Sequence, residues 1–234
     1  MKNKIDIYCD GADFNSMKYY YKKKFIKGFT TNPSLMNSSG VTDYKKFAKK
    51  ILKIVKNKSI SLEVFSDDLI EMKKQALKIA SWGKNIYVKI PITNTKGESC
   101  LPLVRKLVRN NIKVNITAVF TLKQISSIKK YINNKSKVII SIFSGRIADT
   151  GIDPSITISK SVKMYKNNKN VKILWASTRE VVNIMQAEKL GCHIITVPVS
   201  LLKKFKNLGK DLKNYSLETV KGFYDDAKKA NYKI

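Results

Sequence analysis

Short apolar segments and amphipathic segments alternate along the whole chain, and this alternation restricts the possible folds more than any other feature. Eight segments rich in isoleucine, valine and phenylalanine are each followed by a stretch in which apolar residues recur at helical spacing. We predict strands at residues 5–10, 25–32, 59–65, 85–93, 113–120, 137–143, 171–177 and 193–199. Strands that alternate with helices pair in parallel, because the chain must cross over before the next strand begins.

The eight strand–helix units predict a closed (β/α)8 barrel. A chain of 234 residues is long enough for this fold, whose smaller members have about 200 residues. We expect one α/β domain over residues 1–234, a TIM barrel with an extra C-terminal helix near residues 216–230. An open, doubly wound sheet is the alternative, but it gives less reason for so many strands to end in polar residues.

The formal net charge of +29 raises the question of a polyanionic partner, either nucleic acid or an anionic membrane. All but four of the 46 basic residues are lysine, and they are spread over the whole chain without an aromatic-basic RNA-binding motif. We therefore expect weak, non-specific polyanion binding at low salt, with no specific nucleic-acid partner and no membrane. No apolar run reaches membrane-spanning length and no signal peptide opens the sequence, so we expect a cytoplasmic protein.

Cysteine and histidine usage argues against a metal site. Cys9, Cys100 and Cys192 are widely spaced, which fits neither a metal pattern nor a disulfide framework and favours a reducing compartment. The single histidine, His193, neighbours Cys192 in a strand, where adjacent side chains point to opposite faces. We expect structural roles for both residues and no bound metal.

One lysine lies inside an apolar strand. Lys89 stands between Val88 and Ile90 in the fourth predicted strand, whereas most other lysines lie in charged runs or on polar helix faces. A buried ammonium must be paired or must give up its proton, and an amine without that proton attacks carbonyl carbons. Lys89 is therefore a candidate nucleophile, and an ordinary solvated lysine is the alternative.

Polar side chains collect near the carboxyl ends of the predicted strands, where (β/α)8 barrels carry their active sites. The candidates are Asp10, Thr30, Asn32, Glu63, Lys89, Asn115, Thr117, Ser141, Arg146, Ser177 and Arg179. An amine, carboxylates that move protons, and two arginines suited to a phosphate together suggest Schiff-base aldol chemistry.

Each candidate also has a structural interpretation. Asp10 could cap the first helix, and Asn32 could belong to a turn before the following proline. Glu63 could be only an ion-pair partner of the buried lysine, and the two arginines could lie on the surface, one of them paired with Glu180. Phe143 is most simply a core residue.

Six motifs at the strand ends carry a resemblance to a known family. They are GFTTNPS at 28–34, SLEV at 61–64, VKIP at 88–91, NIT at 115–117, SIFSGR at 141–146 and ASTR at 176–179. Together they resemble the transaldolase family, in the short branch that includes the fructose-6-phosphate aldolases. The resemblance runs in order through nearly the whole chain.

The resemblance implies a role for each position. Lys89 would form a Schiff base with the donor ketose, Glu63 and Thr117 would hold a water that moves protons, and Asp10 would deprotonate the hydroxyl next to the cleaved bond. The substrate-binding positions would be Thr30, Asn32, Asn115, Ser141, Phe143, Arg146, Ser177 and Arg179, of which the last three would hold phosphate. The implied partners are sugar phosphates, with no metal or organic cofactor.

Two positions distinguish the branches of the family. Fructose-6-phosphate aldolases resemble this chain but have glutamine at the position of Glu63 and tyrosine at that of Phe143. A phenol would give the water another partner and favour release of dihydroxyacetone. We therefore expect transfer of a dihydroxyacetone unit from a ketose phosphate to an aldose phosphate, as in the non-oxidative pentose phosphate pathway. Simple cleavage, or an aldolase of a specialised carbohydrate pathway, is the alternative.

Several features depart from the family pattern. Gly11 follows Asp10, Thr178 precedes Arg179, and Asp149 places an acid near the phosphate arginines. Short members of the family tend to form rings, so the resemblance implies a homo-oligomer such as a pentamer or decamer. The apolar face at 217–224 would suit such a contact between subunits, and packing of this face on its own barrel is the alternative. A barrel that binds polyanions without catalysis is a further, less favoured alternative, because every catalytic position is filled.

Overall fold

Eight parallel strands pair in sequence order and close into a barrel, because β1 pairs with both β2 and β8. A computed structural model describes residues 5–233. The strands are β1 (Asp6–Asp10), β2 (Ile26–Thr30), β3 (Ser59–Glu63), β4 (Ile86–Pro91), β5 (Val114–Val119), β6 (Val138–Ile142), β7 (Val171–Trp175) and β8 (Ile194–Pro198). The predicted TIM barrel is confirmed, and the open sheet is wrong.

Helices fill the connections between the strands, and the last two of the helices follow β8. They are α1 (Phe14–Tyr21), α2 (Pro33–Ser38), α3 (Tyr44–Leu52), α4 (Leu69–Ala80), α5 (Leu101–Arg109), α6 (Leu122–Ile128), α7 (Ser144–Ala148), α8 (Ser155–Met164), α9 (Val182–Lys189), α10 (Val199–Lys203) and α11 (Leu212–Lys229). Turns of 3₁₀ helix lie at Lys129–Tyr131 and Lys204–Asn207. The short helices α2 and α7 are too brief to show a periodicity in the sequence.

Side-chain caps fix where several helices begin. Asp13 accepts the backbone N–H of Ser16 at the start of α1, and Asp43 and Asp68 act in the same way for α3 and α4. Thr121 forms a capping box with the helix residue three positions later. Each cap contributes about 1 kcal/mol of helix stability and holds a βα connection close to its strand.

A tyrosine fills the amino-terminal half of the barrel interior. Tyr8 packs in one cluster with Ile139 of β6, Leu174 of β7 and Ile194 of β8, and its hydroxyl accepts a hydrogen bond from Ser59 at 2.6 Å. Gly28 makes room for the ring, because a Cβ there would lie 2.6 Å from it. This packed layer leaves the polar residues of the interior toward the carboxyl ends of the strands.

Strand β5 has an irregularity near its carboxyl end. The register against β6 shifts between Ile116 and Val119, and Ala118 adopts a left-handed conformation with φ of 56°. Bulges of this kind change the direction of neighbouring side chains. The irregularity directly follows Thr117, one of the predicted catalytic residues.

His193 joins the amino-terminal ends of β7 and β8. Its ring Nδ1 accepts the backbone N–H of Ile173 at 3.0 Å, and the backbone N–H of His193 donates to the Ile173 carbonyl at 3.2 Å. Burial lowers the pKa of His193, nearby Lys172 acts in the same direction, and Asp6 opposes them. The histidine has the structural role that its sequence context predicts.

The lowered pKa of His193 predicts a loss of stability in acid. Histidines of the unfolded chain titrate near pH 6.5, so the unfolded chain binds more protons than the folded protein as the pH falls below about 6.5. We expect the free energy of unfolding, measured by urea titration, to fall more steeply in the wild type than in His193→Asn below that pH. The asparagine oxygen can accept the same N–H without titrating. Parallel declines in the two proteins would contradict this expectation.

The chain divides into two compact units, one ending at Leu202 and the other beginning at Lys203. The second unit contains α11, which is the extra C-terminal helix predicted from the sequence. Its apolar residues Leu217, Val220 and Phe223 are exposed. A single domain over residues 1–234 stays a prediction.

Residues 5–233 show neither a group of metal ligands nor a helix able to span a membrane. The three cysteines are buried and free, and no three histidine, cysteine or acidic side chains there come together in a group able to hold a metal ion. None of the helices in this range has the length and apolar character needed to span a bilayer.

Candidate active site

Lys89 lies inside the barrel on β4 and is 5% exposed. Its Nζ lies 2.8 Å from Oε2 of Glu63 on β3 and donates to the carbonyl of Thr31 at 2.8 Å. The β3–β4 register places Glu63 directly opposite Lys89. The buried ammonium is therefore paired, which is one of the two states that its apolar sequence context requires.

Asp10 ends β1 within electrostatic reach of the Lys89–Glu63 pair. Thr30 Oγ1 donates to Asp10 Oδ1 at 2.6 Å. Burial raises the pKa of Asp10, and the negative charge of Glu63 raises it further. The hydrogen bond from Thr30 and the positive charge of Lys89 lower this pKa and so oppose the rise. A carboxyl group with a perturbed pKa at the end of a barrel strand is suited to proton transfer. Because Asp13 caps α1, the interpretation of Asp10 as the helix cap is wrong.

Asn115 on β5 is fully buried, and both ends of its amide are held. Its Nδ2 donates to Ser61 Oγ at 3.0 Å, and its Oδ1 accepts from Ser141 Oγ at 2.7 Å. Three strands thus fix the amide in one orientation. Ser61 was not among the predicted site residues, although its position two residues before Glu63 places it on the same strand face.

The Thr117 hydroxyl is buried and has no hydrogen-bond partner among residues 5–233. The β4–β5 register places Thr117 opposite Pro91, further toward the carboxyl end of the barrel than Asn115. A buried hydroxyl without a partner costs about 1–3 kcal/mol, so it is retained where a ligand or a solvent molecule can satisfy it.

The segment after β2 combines a turn with contacts to the lysine. Asn32 Oδ1 accepts the backbone N–H of Leu35 at 2.9 Å and so caps α2, as the turn interpretation predicts. Its amide nitrogen is not used by this cap. Thr31, which the sequence did not single out, is fully buried and supplies the carbonyl that accepts from Lys89.

The ends of β6 and β7 bring the predicted phosphate residues together. A Cβ on Gly145 would lie 1.5 Å from the Ser177 carbonyl oxygen, so glycine is required for this close approach. Ser177 adopts a left-handed conformation with φ of 61°. Arg146 is exposed, and its guanidinium lies 5.4 Å from the ring centre of Phe143, which is partly buried against the interior cluster.

Arg179 is paired with Asp149 and not with Glu180. Its Nε donates to Asp149 Oδ1 at 3.1 Å, and a terminal nitrogen contacts Oδ2. Both side chains are 50% exposed. Such a surface pair contributes only about 0–1 kcal/mol, so a phosphate can compete with Asp149 for the guanidinium.

The structure places most of the predicted site residues near the carboxyl ends of the strands. Ten of the twelve predicted positions lie on the strands or within two residues of their carboxyl ends, and Arg146 and Arg179 each lie four residues beyond a strand. The twelve positions are Asp10, Thr30, Asn32, Glu63, Lys89, Asn115, Thr117, Ser141, Phe143, Arg146, Ser177 and Arg179. Two hydroxyl residues that the sequence did not single out, Thr196 and Ser61, contact this group.

Solved structures with low sequence identity have the same fold. The chain superimposes on 2,3-dimethylmalate lyase, a PEP mutase/isocitrate lyase superfamily member, with a TM-score of 0.58 and 9% identity over 98% of this chain and 85% of the other. Thiamine phosphate pyrophosphorylase from Pyrococcus furiosus gives a TM-score of 0.57 and 10% identity, over 84% of this chain and 86% of the other. These similarities concern the barrel alone.

Closer relatives are found at the sequence level. The family model described as Transaldolase/Fructose-6-phosphate aldolase matches residues 7–234. A "Probable transaldolase" of Thermoanaerobacter sp. is 33% identical over 98% of this chain and 100% of its own length. Relatives of the same name from Dehalococcoides mccartyi and Thermoplasma volcanium are 32% and 35% identical, over 84% and 85% of this chain and 88% and 86% of their own lengths. The chain therefore belongs to the transaldolase/fructose-6-phosphate aldolase family.

Proposed function

We propose that the protein is a Schiff-base transaldolase that moves a dihydroxyacetone unit from a ketose phosphate to an aldose phosphate. The observation that supports this most directly is the buried amine of Lys89, which contacts Glu63 and lies within electrostatic reach of Asp10. The name "Probable transaldolase" of its relatives agrees with the proposal.

Glu63 prepares Lys89 for attack. Its Oε2 lies 2.8 Å from Nζ, close enough to take a proton from the ammonium. The free amine then attacks the ketose carbonyl carbon and forms a carbinolamine, whose hydroxyl leaves as water after protonation while the C=N bond forms. We assign the movement of these protons to a water held by Glu63 and by the Thr117 hydroxyl, which has no protein partner among residues 5–233.

Asp10 acts in the next step. It takes the proton of the hydroxyl next to the bond to be cleaved, the carbon–carbon bond breaks, and an aldose phosphate leaves. The electron pair is held as an enamine on the Lys89 nitrogen. In transfer, the enamine carbon attacks the aldehyde of the acceptor, Asp10 returns its proton to the new alkoxide, and water hydrolyses the Schiff base.

The remaining residues orient the substrate. Asn115 and Ser141 are already hydrogen-bonded to each other, so little ordering is needed when they bind the three-carbon unit beside Thr30 and Asn32. Arg146, Ser177 and Arg179 would hold the phosphate, with Phe143 beside the Arg146 guanidinium.

Transfer and simple cleavage are separated by the need for an acceptor. We expect fructose 6-phosphate to yield glyceraldehyde 3-phosphate rapidly only when erythrose 4-phosphate is present, because the enamine is held until an aldehyde arrives. Release of dihydroxyacetone at the same rate without an acceptor would show an aldolase instead. If no ketose phosphate gave a product or a borohydride-trapped adduct, both forms of the proposal would be wrong.

Oligomeric assembly is a further part of the proposal. The exposed residues Leu217, Val220 and Phe223 of α11 would suit a contact between subunits of a homo-oligomer, whose mass light scattering would give; a monomer would exclude it. A role in the pentose phosphate pathway, a cytoplasmic location and a single domain stay predictions.

A further inference from the structure

A chain of hydrogen bonds runs from β8 through β2 to the carboxylate of Asp10. Thr30 Oγ1 donates to Asp10 Oδ1 at 2.6 Å, and the hydroxyls of Thr30 and Thr196 are in hydrogen-bond contact. Both threonines are 4% exposed. Strands β2 and β8 flank β1 on either side, so the two hydroxyls and the carboxylate form one cluster on three neighbouring strands, with Thr30 in contact with both of the other residues.

The direction of this chain follows for the ionised form of Asp10. An ionised carboxylate can only accept hydrogen bonds, and a threonine hydroxyl has one proton to donate. Thr30 then uses its proton on Asp10, so the proton between the two threonines belongs to Thr196. Thr196 therefore donates to Thr30 and polarises the hydroxyl that donates to Asp10.

This direction favours the ionised form of Asp10. Hydrogen bonds to a carboxylate are stronger than those to a neutral carboxylic acid, so a donor chain that ends on Asp10 opposes the rise of its pKa caused by burial. Strands β2 and β8 supply only hydroxyl groups here. The charged groups facing Asp10 are Lys89 on β4, which lowers its pKa, and Glu63 on β3, which raises it. The adjacent Cys9 stays uncharged at neutral pH, because burial raises its pKa to about 12.

Thr196 is itself held in place. Its backbone carbonyl accepts a hydrogen bond from Thr178 Oγ1 at 2.7 Å, and the β1–β8 register sets it opposite Tyr8. The Thr196 hydroxyl is therefore oriented before any substrate arrives. This contact gives the Thr178 hydroxyl a structural role, since that hydroxyl does not cap the following helix α9.

We propose that Thr196 is a positioning residue that acts through Thr30 to keep Asp10 in the ionised form able to accept a proton. The base role of Asp10 rests on the proposed function. The hydrogen-bond chain and its effect on the ionisation of Asp10 do not.

The test compares Thr196→Val, which keeps the shape but removes the donor, with Thr196→Ser, which keeps the donor. The titration of Asp10 is followed by the ¹³Cγ chemical shift in the full chain, with Asp10→Asn used for assignment. We expect the midpoint to move to higher pH in Thr196→Val and to stay at the wild-type value in Thr196→Ser. Thr196→Ala replaces the valine variant if that variant does not fold.

Activity gives an independent readout. At a pH below the wild-type midpoint, we expect kcat for ketose phosphate cleavage to fall about tenfold in Thr196→Val, with little change in KM, and to recover in Thr196→Ser. An unchanged Asp10 midpoint in the donor-free variant would overturn the proposal, whatever the activity. A shifted midpoint in a protein that cleaves no ketose phosphate would support the hydrogen-bond chain and reject the proposed function.

Discussion

Replacing Lys89 with methionine is expected to lower turnover by about 10⁴-fold or more and to abolish the adduct that borohydride traps from a ketose phosphate. Methionine has nearly the length of lysine but no amine, so a Schiff base cannot form. Peptide mass spectrometry of the trapped wild type should find the adduct on Lys89. As a control, Lys113→Met removes a lysine that lies outside the site and donates to the carbonyl of Lys84, and it should retain activity.

The same substitution should also destabilise the fold, for a separate reason. Removing Lys89 leaves the Glu63 carboxylate, 16% exposed, without its cation, and breaking such a pair costs about 3–5 kcal/mol when it is fully buried. The double variant Lys89→Met/Glu63→Gln removes both charges and should regain much of the free energy of unfolding without regaining activity. A trapped adduct in either variant, or normal turnover, would show that another residue forms the covalent bond.

The fold could be predicted from the sequence because each strand is a short apolar run that is followed by a helical segment. The predicted strands are at most about two residues too long at either end, as at 25–32 where β2 covers Ile26–Thr30. Asn32, for example, is not part of β2 but belongs to the connection, where its side chain caps α2. The sequence pattern cannot distinguish the last residue of a strand from the first residue of a connection, because both can be polar residues next to an apolar run.

The candidate site was predicted less completely than the fold. Lys89 and Glu63 stand out as charges in apolar strands, and their pairing follows from the register. Thr196 does not stand out, because threonine is common in strands. Its contact with Thr30 joins positions 166 residues apart and depends on closure of the barrel between β8 and β1. The Arg179–Asp149 pair likewise depends on how two connections meet, so the nearer Glu180 was an equally reasonable partner in the sequence.

Gly145→Ala is expected to have the second large effect, on the segment that holds phosphate. The new Cβ would lie 1.5 Å from the Ser177 carbonyl oxygen, which is a backbone atom and cannot move by a rotamer change. Ser177 already has a left-handed φ of 61°, so its backbone has few alternative conformations. We expect the free energy of unfolding, from urea titration, to fall by about 3 kcal/mol or more.

The displacement should also affect catalysis selectively. Moving Ser177 and the neighbouring Arg179 by about 1 Å is expected to lower kcat/KM for a phosphorylated ketose by about 100-fold. An unphosphorylated ketose makes no use of these residues, so its kcat/KM should fall much less, provided that both rates are measured where the variant is folded. Gly222→Ala is the matched control. Gly222 lies in α11, and apart from the helix's own backbone and the adjacent residues no atom of residues 5–233 lies within 4 Å of the new Cβ, so the change should raise helix stability by about 0.5–1 kcal/mol. Equal losses for both ketoses in Gly145→Ala would mean that this segment supports the barrel but does not bind phosphate.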